Sequence, residues 1–60
     1  MTATTREHVL AAATHLFSEK GFYGASIATI AQELGLTKQA LLHHFGSKEK
    51  LYAEVLKGVS

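Results

Sequence analysis

Residues 26–45 read Ser26-Ile27-Ala28-Thr29-Ile30-Ala31-Gln32-Glu33-Leu34-Gly35-Leu36-Thr37-Lys38-Gln39-Ala40-Leu41-Leu42-His43-His44-Phe45, and their pattern decides the fold. Ile27, Ile30, Ala31 and Leu34 stand at i, i+3, i+4 and i+7, one face of a short amphipathic helix. Ser26 ahead of them is a good N-cap, because its hydroxyl can accept from an amide of the first turn. Gly35 then offers the left-handed conformation that ends a helix, and Leu36 can pack back on the last turn. Thr37 caps a further helix from Lys38 to about Phe45. Two short helices joined by a tight glycine-containing break form a helix-turn-helix, with Ala31 small enough to permit a close crossing.

Working outward, the same grammar recurs. Thr4 and Glu7 form a Ser/Thr-x-x-Glu capping box that opens a first helix with Val9, Leu10, Ala13, Leu16 and Phe17 on one stripe. Lys20-Gly21-Phe22 is expected to end it through a left-handed glycine. Ser47 after Gly46 caps a fourth helix carrying Leu51, Tyr52, Val55 and Leu56. Strand alternation is absent and proline does not occur, so the expected class is all-α: three short helices packed together and a fourth running toward the carboxyl end. Ile27, Ile30, Leu34, Leu41, Phe45, Leu51 and Val55 are the expected core, and Phe22 and Tyr23 are read as packing residues.

Sixty residues allow one domain, which buries only roughly 60% of the surface its unfolded chain exposes. Apolar residues form 47% of the chain, too many for a disordered tail, yet no run approaches the ~20 needed to span a membrane. Cysteine is absent, which excludes a disulfide framework and a thiolate metal site. The start lacks the basic and apolar regions of a signal peptide, and a cytoplasmic location without membrane association is expected.

The net charge of +1 is too small to argue for nucleic acid by itself. Its distribution is more telling. Between residues 37 and 50 lie Lys38, Lys48 and Lys50 against Glu49 alone, and His43 and His44 can add charge at lower pH. At 100° per residue, Leu41 and Phe45 turn together toward the core, leaving Gln39 and His43 outward with Ala40 and Leu42 beside them. Gln39 can offer a donor and an acceptor to an adenine edge, His43 suits a guanine or a phosphate, and Ala40 or Leu42 can meet a thymine methyl. Lys38 is better suited to phosphate. Lys48, at the start of the fourth helix, can clasp a phosphate together with free amides of that helix end. Lys50, Lys20 and Arg6 read as ordinary solvated cations. His44 borders Leu41 and serves either to cover the core edge or to reach a phosphate.

The run Ile30-Ala31-Gln32-Glu33-Leu34-Gly35-Leu36-Thr37, followed by Ala40-Leu41-Leu42-His43-His44-Phe45-Gly46-Ser47-Lys48-Glu49-Lys50-Leu51, resembles the signature of the tetracycline-repressor (TetR) family of regulators. Ala11-Ala12-Ala13-Thr14-His15-Leu16-Phe17-Ser18-Glu19-Lys20-Gly21-Phe22 resembles the same family's first helix. The resemblance implies a homeodomain-like three-helix bundle with the start of a fourth helix, and a bacterial, sequence-specific repressor that reads double-stranded DNA with helix three in the major groove. It also implies backbone contacts from helix one and from the start of helix two, here Ser26 and Thr29; Thr37 and His44 complete the expected DNA-contact set. Residues 1–60 are then the DNA-binding domain, with the motif at about 26–45. A homodimer and a small-molecule effector are implied through a carboxyl domain that this sequence does not contain. Leu42 stands where the family commonly has tyrosine, which replaces a phosphate bond with apolar contact. Ala28 stands where a polar residue is common.

Two other classes compete. His8 and His15 share a side of helix one but are too far apart to chelate one ion, and the adjacent His43 and His44 diverge, so neither a metal site nor a cofactor is expected. With no nucleophile beside a base, no catalytic residue is assigned and the chain is read as a non-enzyme. The alternative from another class is a small helical protein-interaction module, since a fold alone does not fix function.

Overall fold

The computed structural model describes residues 4–58. It contains four helices, α1 (Thr5–Gly24), α2 (Ile27–Leu34), α3 (Lys38–Phe45) and α4 (Lys48–Gly58), and no strand among the described residues. The all-α expectation holds, as do the boundaries of α2 and α3.

The capping box forms as its sequence requires. The Glu7 amide donates to Thr4 Oγ1 at 3.2 Å, and Glu7 Oε1 accepts from the Thr4 amide and hydroxyl, each at 3.1 Å. These bonds, the amide one foremost and then the hydroxyl, hold the Glu7 carboxyl below the ordinary carboxylate range, helped by His8 and opposed by desolvation. From this start α1 turns Val9, Ala13, Leu16 and Phe17 into the interior.

Gly21 departs from expectation. Its φ of 75° is positive, but ψ is 173°, so it adopts an extended conformation that only glycine tolerates rather than a left-handed helical cap. One more turn follows, closed by the Ala25 amide donating to the Gly21 carbonyl at 3.1 Å. That turn carries Phe22 back over the molecule, where its ring stacks on Phe17 with centroids 6.0 Å apart and meets Tyr52 edge-on at 4.9 Å. Tyr23 is not a packing residue: it is 95% exposed, touching Phe22 only along one edge.

Gly35 behaves as read, with φ 70° and ψ 24°. Its amide donates to the Gln32 carbonyl at 3.2 Å and the Leu36 amide to that of Ala31 at 2.9 Å, the paired bonds of a Schellman end. Ser26, Thr37 and Ser47 then start α2, α3 and α4, each hydroxyl accepting an amide three residues on, from Thr29, Ala40 and Lys50.

The core is wholly apolar and draws on all four helices. α1 packs on α2 and α4, and α3 packs on α2 and α4. The fourth helix is part of the bundle, because Leu51 and Val55, both expected in the core, are buried within it. Burial of each such aliphatic side chain contributes about 1.5–3 kcal/mol. Leu56, expected on the same stripe, is 54% exposed, and Leu34 and Leu36 only half-close the edge. Among the described residues, no helix is long and apolar enough to cross a membrane.

Two outcomes follow for folding. A Cβ at Gly35 would meet nothing within 4 Å, so Gly35→Ala isolates the backbone cost of the left-handed conformation. It should destabilise by about 1–2 kcal/mol in urea unfolding, and an unchanged midpoint would contradict the turn. Glu7, with its folded carboxyl lowered, contributes stability that is complete above the ordinary carboxylate range and is lost as pH falls through the lowered value. Glu7→Ala should therefore melt below wild type at neutral pH, with the gap closing in acid.

Candidate nucleic-acid interface

α3 is pinned from beneath by Leu41 and Phe45, both buried. Its opposite side exposes Gln39 and His43, while Ala40 and Leu42 are half-buried at the borders. The helical wheel thus gives the orientation correctly. Leu42 lies against the core edge with part of its surface open. Lys38 is exposed at the first helical position.

The hydroxyls near this helix have two tasks. Thr37 Oγ1 accepts the Ala40 amide, which engages a lone pair but leaves the hydroxyl proton free to donate outward. Ser26 Oγ accepts the Thr29 amide at 3.0 Å and lies 2.8 Å from Thr29 Oγ1. One hydroxyl proton is used between these two, and one remains for an anion at the positive end of α2.

His43 and His44 diverge, with ring centroids 6.2 Å apart and planes at 70°. His44 is exposed rather than covering the core, and it borders a cleft that Arg6, Lys50 and Lys57 also line. Glu54 sits in that cleft, paired to Arg6 at 2.6 Å and Lys57 at 3.2 Å. The Lys57 bond and charge, then Arg6, hold its carboxyl below the usual range against desolvation. The cleft's cations are therefore partly neutralised. That pairing involves Arg6 and Lys57 alone: Lys20, Lys38, Lys48 and Lys50 are in no ion pair among the described residues.

Lys48 occupies a more defined place than a solvated surface lysine. Its side chain is half-buried, and Nζ stands 4.4 Å from the centroid of the Phe22 ring. Sequence periodicity had no access to that contact, which joins the end of α1 to the start of α4.

A family model described as "Bacterial regulatory proteins, tetR family" matches residues 9–55. The chain belongs to the TetR family. Among curated relatives, it is 34% identical over 53 residues to the HTH-type transcriptional repressor AcnR of Corynebacterium jeikeium, covering 88% of this chain and 28% of that protein. It is 41% identical over 54 residues to the HTH-type transcriptional regulator RutR of Escherichia coli K12, covering 90% and 26%. To the HTH-type transcriptional regulator LmrA of Bacillus subtilis it is 43% identical over 53 residues, covering 87% and 28%. This TetR-family chain thus spans little more than a quarter of the length of these relatives. No solved structure gives a significant match.

Proposed function

We propose that this chain is the DNA-reading head of a transcriptional regulator, with residues 26–45 as its helix-turn-helix and α3 as the element that enters the major groove. The observation that carries the reading is the two-sided character of α3, where Leu41 and Phe45 anchor one side and leave Gln39 and His43 exposed on the other. Family membership and the printed names of the relatives, transcriptional repressors and regulators, support it.

In this reading Gln39 pairs with an adenine edge, His43 with a guanine or a phosphate, and Ala40 and Leu42 with thymine methyls or sugar. Ser26, Thr29, Thr37, Lys38, His44 and Lys48 hold the phosphates that fix register without carrying sequence information. The regulator works by binding and not by catalysis, in the cytoplasm where bacterial DNA lies. Paired heads are needed to span half-sites about one helical turn apart, so the full regulator is a homodimer on an operator. Its most natural action is repression relieved by a small-molecule effector bound outside these residues.

Two measurements test this. If Lys38 and Lys48 each displace one phosphate counterion, affinity of the head for duplex DNA should fall about tenfold between roughly 50 and 200 mM salt. The absence of salt-dependent binding to any duplex pool would return the chain to the protein-interaction class. Lys48→Ala should weaken all sequences alike and flatten the salt slope by about 0.9, whereas Gln39→Ala should change which sequence is preferred. A uniform loss from both would remove Gln39 from the base-reading set.

A further inference from the structure

We propose that Phe22 is a positioning residue for DNA binding, holding the Lys48 ammonium where a backbone phosphate meets the start of α4. The inference rests on the DNA reading above and adds to it a residue distant in sequence from the helix-turn-helix.

The geometry runs in three links. Gly21, with its glycine-only backbone, redirects the chain so that Phe22 returns over α1. Phe17, buried in the core, stacks against the Phe22 ring, and Tyr52 of α4 closes on it from the edge. The ring is thus fixed on elements of two helices. Lys48 Nζ then stands 4.4 Å from that ring's centroid, within the range at which an ammonium is attracted to the negative face of an aromatic ring.

An unsupported lysine loses the freedom of four rotatable bonds when it grips a phosphate. Lys48 is already restricted, so less of that freedom remains to be lost on binding. An ammonium has three N–H donors, and contact with one ring face leaves others for phosphate oxygens. Lys38 and Lys50 are exposed and stand over no aromatic ring among the described residues. The resulting contact sets strength and register, and Phe22 itself touches no base.

The test is a double-mutant cycle on this 60-residue chain, read by fluorescence anisotropy on a labelled duplex at low salt. Phe22→Leu should weaken binding about two- to fivefold, and Phe22→Tyr, which retains the ring face, should restore it. In a Lys48→Ala background Phe22→Leu should cause no further loss. Because Phe22→Leu also disturbs packing, fluorinated phenylalanines at position 22 provide a second arm that keeps the ring's shape nearly unchanged while draining its negative face. Affinity should fall with successive fluorines in the parent chain and stay level with Lys48→Ala. An equal Phe22→Leu loss in both backgrounds, or a flat fluorine series, would reduce Phe22 to packing and overturn the proposal. Wild-type affinity in Lys48→Ala, with salt-dependent binding intact, would overturn it while leaving the DNA reading in place. A wild-type chain that binds no duplex would remove the DNA reading itself, and this proposal with it.

Discussion

Val9, Ile30, Leu41 and Leu51, one from each helix, are the large side chains that the bundle closes completely from water. The rest of the molecule depends on their meeting. α2 and α3 have eight residues each, shorter than the roughly 12–15 an isolated helix needs even to be marginal in water. Neither can persist on local hydrogen bonds alone. Burial of Ile30 and Leu41 therefore creates the helices as well as joining them, and α1 and α4 must both be present to complete that burial. The surface of α3 is a by-product of the same constraint. Once Leu41 and Phe45 are committed inward, Gln39 and His43 have nowhere to point but out. Residue identity there is released from the demands of folding and open to the demands of recognition.

Helices this short have a high proportion of ends, and the sequence answers that with hydroxyls. Ser26, Thr37 and Ser47 each satisfy one otherwise orphaned amide. A hydroxyl that accepts an amide still has a proton to donate, so a cap can also be a phosphate ligand. On the proposed reading, Thr37 serves stability and DNA binding through different atoms of one group, and the Ser26–Thr29 pair does so with the one hydroxyl proton left between them. The cost is geometric: each hydroxyl is fixed by its cap and can meet only a phosphate that arrives at that spot. Such contacts suit the fixing of register.

What the sequence made legible follows the range of the interactions. The Thr4–Glu7 box, the Gly35 turn and the limits of α2 and α3 are decided within about one turn of chain, where periodicity and capping rules apply. Gly21 was legible as a break but not in its geometry, because ψ there is tied to where Phe22 comes to rest against Phe17 and Tyr52. Tyr23 and Leu56 look like core by type, yet both lie at places where no further element arrives to cover them among the described residues. The outward set on α3 was legible from the wheel alone. The seat of Lys48 was not, since it requires knowing that the end of α1 and the start of α4 adjoin.

Charge distribution gives these local details their larger sense. A chain with six basic and five acidic residues has little long-range field to offer DNA. Glu54 further occupies Arg6 and Lys57 at the α1–α4 cleft, and Glu19 lies beside His15. Among the described residues Lys20, Lys38, Lys48 and Lys50 are in no ion pair, and of these Lys38 and Lys48 stand at the first residues of α3 and α4. The sequence-independent part of binding, which follows the number of phosphates neutralised, is thereby kept small in a single head. On the proposed reading, a head of this kind gains little from random DNA, and the share of its affinity assigned to Gln39, His43 and their neighbours grows correspondingly. Selectivity then comes at the expense of strength, and pairing two such heads recovers strength without adding charge to either.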